Sequence, residues 1–573
     1  MKKWEVIHKF KVQSSKFKVK ELIDILLENR GIKTAKARKE FLNPKLEDVT
    51  TESVGIDEDK LKKALSRIKK AIQEKEQIVI FGDYDVDGIC GTAILWETLH
   101  SLGAKVLPYI PHRVDEGYGL SKKGISNLQF HLFDKLRTRM SNVKLIITVD
   151  NGIVANEAVQ YAIKQGIDVI ITDHHVPSKK LPKAHAIVHT TKLCGTGVAY
   201  LLAKKILKQV QHDNGEDDHL GLVALATVAD LVPLTSSNRT LLTHGLKVLR
   251  QSNRPGLLAL CKEAGINQKT IGTYEIGYII APRLNAMGRI TSAMDSLRLL
   301  CTKSQERASL LAQKLCLTNK ERQLLTEETV LHAFTGIRNQ ESGTKKLLFV
   351  AHETYQQGVI GLVAGKIVEE FYRPTIVVSK GEVYSKASAR SVAGFNMIEF
   401  IRQASNLLVD VGGHPMAAGF TVETEKLVLL QEKLEGLAET LLNGDKLTKT
   451  LRIDCELPLS IASRDLLTVL EELAPFGMGN PQPSFVSRGV FIEDMRLVGR
   501  DKKHIKFQFK SQNAILRLRS GQEVKIDGIS FGMGERAHEF SIGQKVDIVY
   551  TISEDKWNGN TALQLKIKDL KPS

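Results

Sequence analysis

Ile78-Val79-Ile80-Phe81 runs into Gly82-Asp83-Tyr84-Asp85-Val86-Asp87-Gly88, an apolar run followed by acids at every second position. The four apolar residues predict a buried strand, and a helix is expected from near Ile89. Alternate residues of an extended segment point the same way, so Asp83, Asp85 and Asp87 can converge on one spot. Three carboxylates that close repel one another unless a cation lies between them, and hard oxygen ligands suit Mg²⁺ or Mn²⁺. An Asx-rich turn capping the next helix is the plainer account of the same acids. A calcium loop is excluded. Asp83-x-Asp85-x-Asp87-Gly88 matches its first half, but its twelfth residue is Ile94 instead of glutamate, and a strand stands where a helix is required.

Outward from this stretch, strand-like runs alternate with helical ones from about 75 to 250, as in a parallel α/β sheet. Leu145-Ile146-Ile147-Thr148-Val149 ends in Asp150-Asn151-Gly152, and Asp168-Val169-Ile170-Ile171-Thr172 ends in Asp173-His174-His175. Ligands of parallel sheets bind beyond the carboxyl ends of the strands, so three strands delivering acids or histidines there point to one site. Asp230 closes the apolar, helical stretch 222–229. Alone it reads as a helix-end acid; beside the other three stretches it reads as a fourth contributor.

The expected fold class is α/β, in five parts. These are a basic helical region over 1–70, a parallel-sheet domain over 71–255, a helical connector over 256–340, a smaller α/β domain over 341–447 and a C-terminal β barrel of the OB-fold type over 448–573. Within the connector, 301–334 has a long polar helical pattern with Asn319, Arg322 and Gln323. The smaller domain holds Gly358-Val359-Ile360-Gly361, Lys386-Ala387-Ser388-Ala389-Arg390-Ser391 and a Gly412–Phe420 segment containing His414. Glycines with a serine, an arginine and a histidine suit a phosphate-holding loop, and tight turns between strands would produce them too. In the barrel, Phe507, Phe509 and Trp557 either stack on bases or fill the core.

The 573 residues carry a net charge of +16, and 1–70 hold 19 Lys/Arg against 11 Asp/Glu, half of that excess. Such a balance suits a polyanionic partner or substrate, and equally a solvated basic face. Six scattered cysteines without a C-x-x-C argue against a zinc module and for a reducing compartment. No run approaches eighteen apolar residues and the first residues lead into no apolar signal core, so a soluble, cytoplasmic protein is expected.

Asp85, Asp87, Asp150, His174 and Asp230 form a carboxylate and imidazole set large enough for two divalent metals, with Asp150 as the natural bridge. Two such ions can lower the pKa of a bridging water and clamp both oxygens of an in-line displacement at phosphorus. One histidine among carboxylates tilts the choice toward Mn²⁺. His175 is better placed to touch a phosphoryl oxygen or protonate the leaving group than to share the same metal. The residues alone therefore argue for a metal-dependent phosphoesterase.

Asp-Tyr-Asp-Val-Asp-Gly, Val-Asp-Asn-Gly, Asp-His-His and Ala-Asp-Leu-Val-Pro resemble the four motifs of the DHH phosphoesterases. Gly-Gly-His-Pro-Met-Ala-Ala-Gly-Phe is similar to their DHH-associated substrate-binding domain, and Pro282-Arg283-Leu284-Asn285-Ala286-Met287-Gly288-Arg289 with the barrel narrows the resemblance to the RecJ family of bacterial exonucleases. The resemblance implies a 5′→3′ exonuclease that hydrolyses single-stranded DNA to 5′-mononucleotides with two Mn²⁺ or Mg²⁺ ions. It implies Asp83, Asp85, Asp87, Asp150, His174 and Asp230 as metal ligands, with catalytic roles for Asp150 and His175. Arg113, Ser388 and Arg390 would grip the 5′-phosphate; Arg283, Asn285 and Arg289 would contact the strand; His414 would lie in the substrate loop. It further implies work with single-strand binding protein and a RecQ-type helicase in recombination and repair, and a monomer fits a self-contained clamp of three modules. Short oligonucleotides or cyclic dinucleotides as substrates, or a non-catalytic scaffold, are the alternatives. Two positions depart from the pattern. Phe81 replaces a metal-binding histidine, so that one metal would lean on Asp83, and Tyr355-Gln356 replaces Trp-His.

Overall fold

A computed structural model describes residues 2–11, 19–113, 115–130, 142–209, 216–339, 345–444, 446–511, 525–555 and 562–573. Its contacts divide the chain into two units, one of 45–447 and one that joins 1–44 to 448–573.

In the first unit a five-stranded parallel sheet runs in the order Val106–Tyr109, Gln77–Gly82, Val143–Val149, Asp168–Asp173, Ala186–His189. Its strands are apolar on both faces because helices cover both. Ile78 and Ile80 pack on one side with Val86–Ser101, Gly195–Gln209 and Glu216–Ala229. Val79 and Phe81 pack on the other with Lys122–Phe130 and Asn156–Lys164. Strand order reverses between Gln77–Gly82 and Val143–Val149, which makes their carboxyl ends the sheet's switch point.

The connector helix is Gln305–Asn339, about 50 Å long at 1.5 Å per residue. It begins later than the polar pattern at 301 suggests, because Met294–Cys301 is a separate helix and Ser304 Oγ accepts the Arg307 N–H at the new start. Ala308, Ala312 and Leu315 pack into the parallel-sheet core, whereas Ala333 and Ile337 pack with the smaller α/β domain. That domain has a mixed sheet in the order Leu408–His414, Ala417–Glu423, Tyr384–Arg390, Thr375–Ser379, Leu348–His352. Only its last pair is parallel.

In the other unit five strands, Phe485–Val498, His504–Lys510, Lys525–Ser530, Ala562–Pro572 and Lys545–Asp555, close into a barrel through pairing of the first with the last. Phe507 and Phe509 stack in its core at 5.1 Å and are 1% and 0% exposed, so they fill the barrel and do not face bases. Trp557 lies outside the described residues.

The N-terminal expectation needs correction. Residues 1–70 are not one helical region: Lys3–Lys11 is a strand that pairs in parallel with Thr450–Glu456, and the helices Val19–Asn29 and Ala35–Leu42 contribute Leu22, Leu26 and Phe41 to the barrel-side core. No helix among the described residues is long and apolar enough to cross a membrane.

Candidate metal centre and arginine pocket

Asp85 caps the helix Val86–Ser101, its Oδ1 accepting the N–H groups of Asp87 (3.0 Å) and Gly88 (3.1 Å). The capping turn and the acidic cluster are thus the same feature. A Cβ at Gly88 would come within 2.5 Å of the Asp83 backbone, so only glycine lets the helix start fold against the strand end. The Asp87 carboxylate accepts N–H groups from Gly195 (2.6 Å) and Thr196 (2.7 Å) at the start of the helix Gly195–Gln209, an end that favours negative charge. Asp150 follows its strand in the left-handed region, at φ +62°, and a Cβ at Gly195 would sit 2.6 Å from the Asp150 Cβ.

This arrangement brings all six predicted ligands together. His174 Nε2 lies 3.1 Å from Asp150 Oδ1, 3.6 Å from Asp230 Oδ2 and 3.7 Å from Asp87 Oδ2. Asp83, Asp85 and Asp150 form one group with metal-ligand spacing, and Asp87, His174 and Asp230 form another. Asp150 belongs to the first and touches the second, between the two.

Without a cation the cluster is electrostatically costly. Burial and neighbouring carboxylates push Asp83, Asp85 and Asp150 up, and burial with Asp87 and Asp85 pushes Asp230 up to about 9. Burial holds His174 below the usual histidine range, which keeps a lone pair free for a metal. Asp83 Oδ1, Asp150 Oδ1 and His174 Nε2 are buried atoms without a hydrogen bond. Unpaired oxygens and an imidazole nitrogen in the two adjoining groups fit hard or borderline divalent cations.

His175 is held differently. Its Nδ1 donates to Asp173 Oδ1 (2.8 Å), a carboxylate that also accepts the N–H groups of Ile153, His174 and His175. Burial would lower the imidazole, but the Asp173 bond and charge outweigh it and raise the pKa. His175 Nε2 faces the Tyr118 hydroxyl at 3.2 Å, and that hydroxyl donates to the Asp150 carbonyl at 3.1 Å. His414, at the tip of its hairpin, stacks on His175 at 5.8 Å.

The predicted phosphate-binding residues gather in a second cluster. Arg113 lies over the Tyr84 ring at 4.7 Å, and Arg390 donates to Ser388 Oγ at 3.1 Å. Burial, then Arg113, Arg322 and Arg390, pull Arg289 down to about 9; burial and Arg113 lower Arg390. Guanidinium groups that depress one another form a strong anion site. Asn285 is turned to the aspartate loop, accepting the Val86 N–H at 2.9 Å, and Arg283 donates to the Ile279 carbonyl at 2.7 Å. Phe81 is fully buried and packs on Tyr109 at 5.1 Å, in the core that the sheet shares with Lys122–Phe130 and Asn156–Lys164. Tyr355 is buried with its hydroxyl 2.8 Å from His332 Nδ1, and Gln356 is exposed.

Three contributors were given no role of their own by the sequence reading. Asp173 carried a signal, an acid at a strand's carboxyl end beside two histidines. Tyr118 carried none. Arg322 was hidden in a polar helical pattern that gives no direction for a single side chain.

Comparison with known proteins extends the picture. The DHH family N-terminal domain matches residues 77–227, the DHHA1 domain 344–440 and the RecJ OB domain 453–569. The single-stranded-DNA-specific exonuclease RecJ of Bacillus subtilis is 34% identical, covering 99% of this chain and 70% of the relative. Its counterpart from Escherichia coli is 30% identical, covering 89% of this chain and 90% of the relative. The crystal structure of RecJ in complex with Mn²⁺ from Thermus thermophilus superposes with a TM-score of 0.79 at 28% identity, covering 100% of this chain and 80% of that one. The Mg²⁺ complex from the same organism gives 0.74 at 26%, covering 100% and 79%.

Proposed function

The chain belongs to the RecJ family of single-stranded-DNA-specific exonucleases, and on that premise we propose the direction of its attack and the part each residue plays. It is a metal-dependent nuclease of single-stranded DNA that uses Mn²⁺ or Mg²⁺. It removes nucleotides from the 5′ end and releases 5′-mononucleotides. The observation that carries this reading is the arginine pocket beside the metal centre. A single helix, Ala281–Ile290, carries Asn285 against the aspartate loop and Arg289 into the pocket, four residues or about 6 Å apart. A terminal phosphate monoester bound there sets the next phosphodiester over the acids.

Arg113, Arg289, Arg390 and Ser388 hold the 5′-phosphate, and Arg283 with Arg322 guides the strand. Asp83, Asp85, Asp87, Asp150, His174 and Asp230 hold two divalent ions, which supply Lewis acidity toward water and the phosphoryl oxygens. Asp173 keeps a proton on His175. As the oxygen of water joins phosphorus and the P–O3′ bond breaks, His175 gives that proton to the departing 3′ oxygen. Tyr118 and His414 fix the ring, and Asn285 steadies the loop. The protein works as a monomer in recombination and repair, in the cytoplasm, with single-strand binding protein and a RecQ-type helicase supplying ends; its free cysteines suit that compartment.

The test is cleavage of 3′-labelled single strands with a 5′-phosphate or a 5′-hydroxyl. The account expects a ladder that keeps the 3′ label and an advantage of about 10- to 100-fold in kcat/KM for the phosphate. Arg390→Ala should abolish that advantage. Early loss of the 3′ label would refute the direction, and equal rates on both ends would refute the pocket's role.

A further inference from the structure

We propose that Tyr274 and Tyr278 form a stacking platform for bases of the single strand downstream of the scissile phosphate, an inference that rests on the exonuclease reading above. The two rings are 62% and 73% exposed, with centroids 5.0 Å apart and planes 30° apart. Neither ring adds to a core among the described residues. The backbone that carries them is firmly seated: Ile276 and Ile280 are fully buried beneath, and a Cβ at Gly277 would be in ordinary contact with Val228, at 3.7 Å. Tyr274 lies in the short helical turn Thr273–Glu275 and Tyr278 in the π-helical turn Ile276–Ile280 that continues it, with the Ala281 N–H donating to the Ile276 carbonyl just before Pro282. Such turns concentrate at functional sites.

What gives the pair direction is the run it opens. Tyr274 and Tyr278 lead directly into the helix Ala281–Ile290. Read backward along that helix, Arg289 stands in the phosphate pocket and Asn285 touches the aspartate loop. Arg283 follows, its Nε without a hydrogen bond; burial first, and the Arg283 charge second, lower the affinity of Arg322 for a proton. The tyrosines come last. Tyr278 lies seven residues from Asn285 and Tyr274 eleven, about 10 Å and 16 Å of helix, a reach of a few nucleotides. A strand anchored by its 5′-phosphate and crossing the metal centre meets a cation and then two exposed aromatic faces. Stacking suits this place because every base offers a π-face, and an enzyme that advances nucleotide by nucleotide needs a grip indifferent to sequence.

The test places 2-aminopurine at each of the first several positions of a 5′-phosphorylated strand bound in EDTA, where stacking quenches its fluorescence. The wild type should quench it at positions downstream of the first phosphodiester. Tyr274→Ser with Tyr278→Ser should abolish that quenching and raise KM on a long strand about tenfold, with less than a twofold effect on a trinucleotide. The Tyr274→Phe, Tyr278→Phe pair should restore both. Unchanged quenching and KM in the serine variant would overturn the platform and leave the exonuclease standing, as would equal losses on long and short substrates. A wild type that neither binds nor shortens a single strand would overturn the exonuclease reading itself, and the platform with it.

Discussion

At Asp150 the backbone turns through φ +62°, a conformation that costs a non-glycine residue about 1 kcal/mol, and the turn aims the carboxylate between the two ligand groups. Burial and then the surrounding acids make that position expensive in the metal-free protein, since Asp87, Asp85, Asp83 and Asp230 add to the burial that already disfavours its charge. Asp150→Asn should therefore melt higher than the wild type in EDTA and lower than the wild type in saturating Mn²⁺, measured by thermal unfolding in the two media. A variant less stable in both would show that the aspartate is structural. Asp83, Asp85 and Asp150 were legible in the sequence because they stand at the ends of parallel strands, whereas Asp87 converges from the first turn of a helix that starts at Val86, earlier than the expected start near Ile89, and not from an extended segment. Asp230 became legible only in company, since its place at the end of a helix gives no direction by itself. Tyr118 could not be found, because it reaches His175 from a segment without periodicity.

Among the elements, the helix Val86–Ser101 carries the aspartate loop at one end and Glu97 near the other. Arg254, at the start of the helix Pro255–Ala264, donates to both Glu97 oxygens at 2.8 and 2.7 Å and pairs with Asp218. His219 adds a bond at 2.9 Å. Burial alone would raise the Glu97 carboxyl, but these partners hold it down at about 2. Its stabilising contribution is thus complete above the ordinary 4.5 and lost as the pH falls from there toward 2, on the order of 3 kcal/mol in all. Glu97→Gln should lower the melting temperature at neutral pH and flatten its decline over that acid range, followed by circular dichroism. An unchanged acid profile would contradict this role. The strands of the parallel sheet were legible as apolar runs and the connector helix from its polar helical pattern. The π-helical turn at Ile276–Ile280 was not, because nothing in a run of isoleucines and a glycine separates it from an ordinary helix.

For the molecule as a whole, the cores follow the two units. The barrel-side core draws on 22–41 and 455–570, and the parallel-sheet and smaller α/β cores draw only on residues within 45–447. A protein of 45–447 should fold cooperatively and still cleave short single strands, with KM for long strands raised about tenfold or more by loss of the barrel. Removing only 448–573 should instead leave Lys3–Lys11 without its partner strand and lower solubility, as sedimentation would show. That pairing was invisible in the sequence: strands more than 400 residues apart leave no local signal, so the basic N-terminal segment read as helical and separate. The most direct test of the whole account incubates a 5′-phosphorylated single strand and its duplex with the wild type and Asp150→Ala, in Mn²⁺ and in EDTA. Shortening of the single strand alone, only in Mn²⁺ and only by the wild type, is the predicted result. Shortening in EDTA, or by Asp150→Ala at a comparable rate, would contradict it.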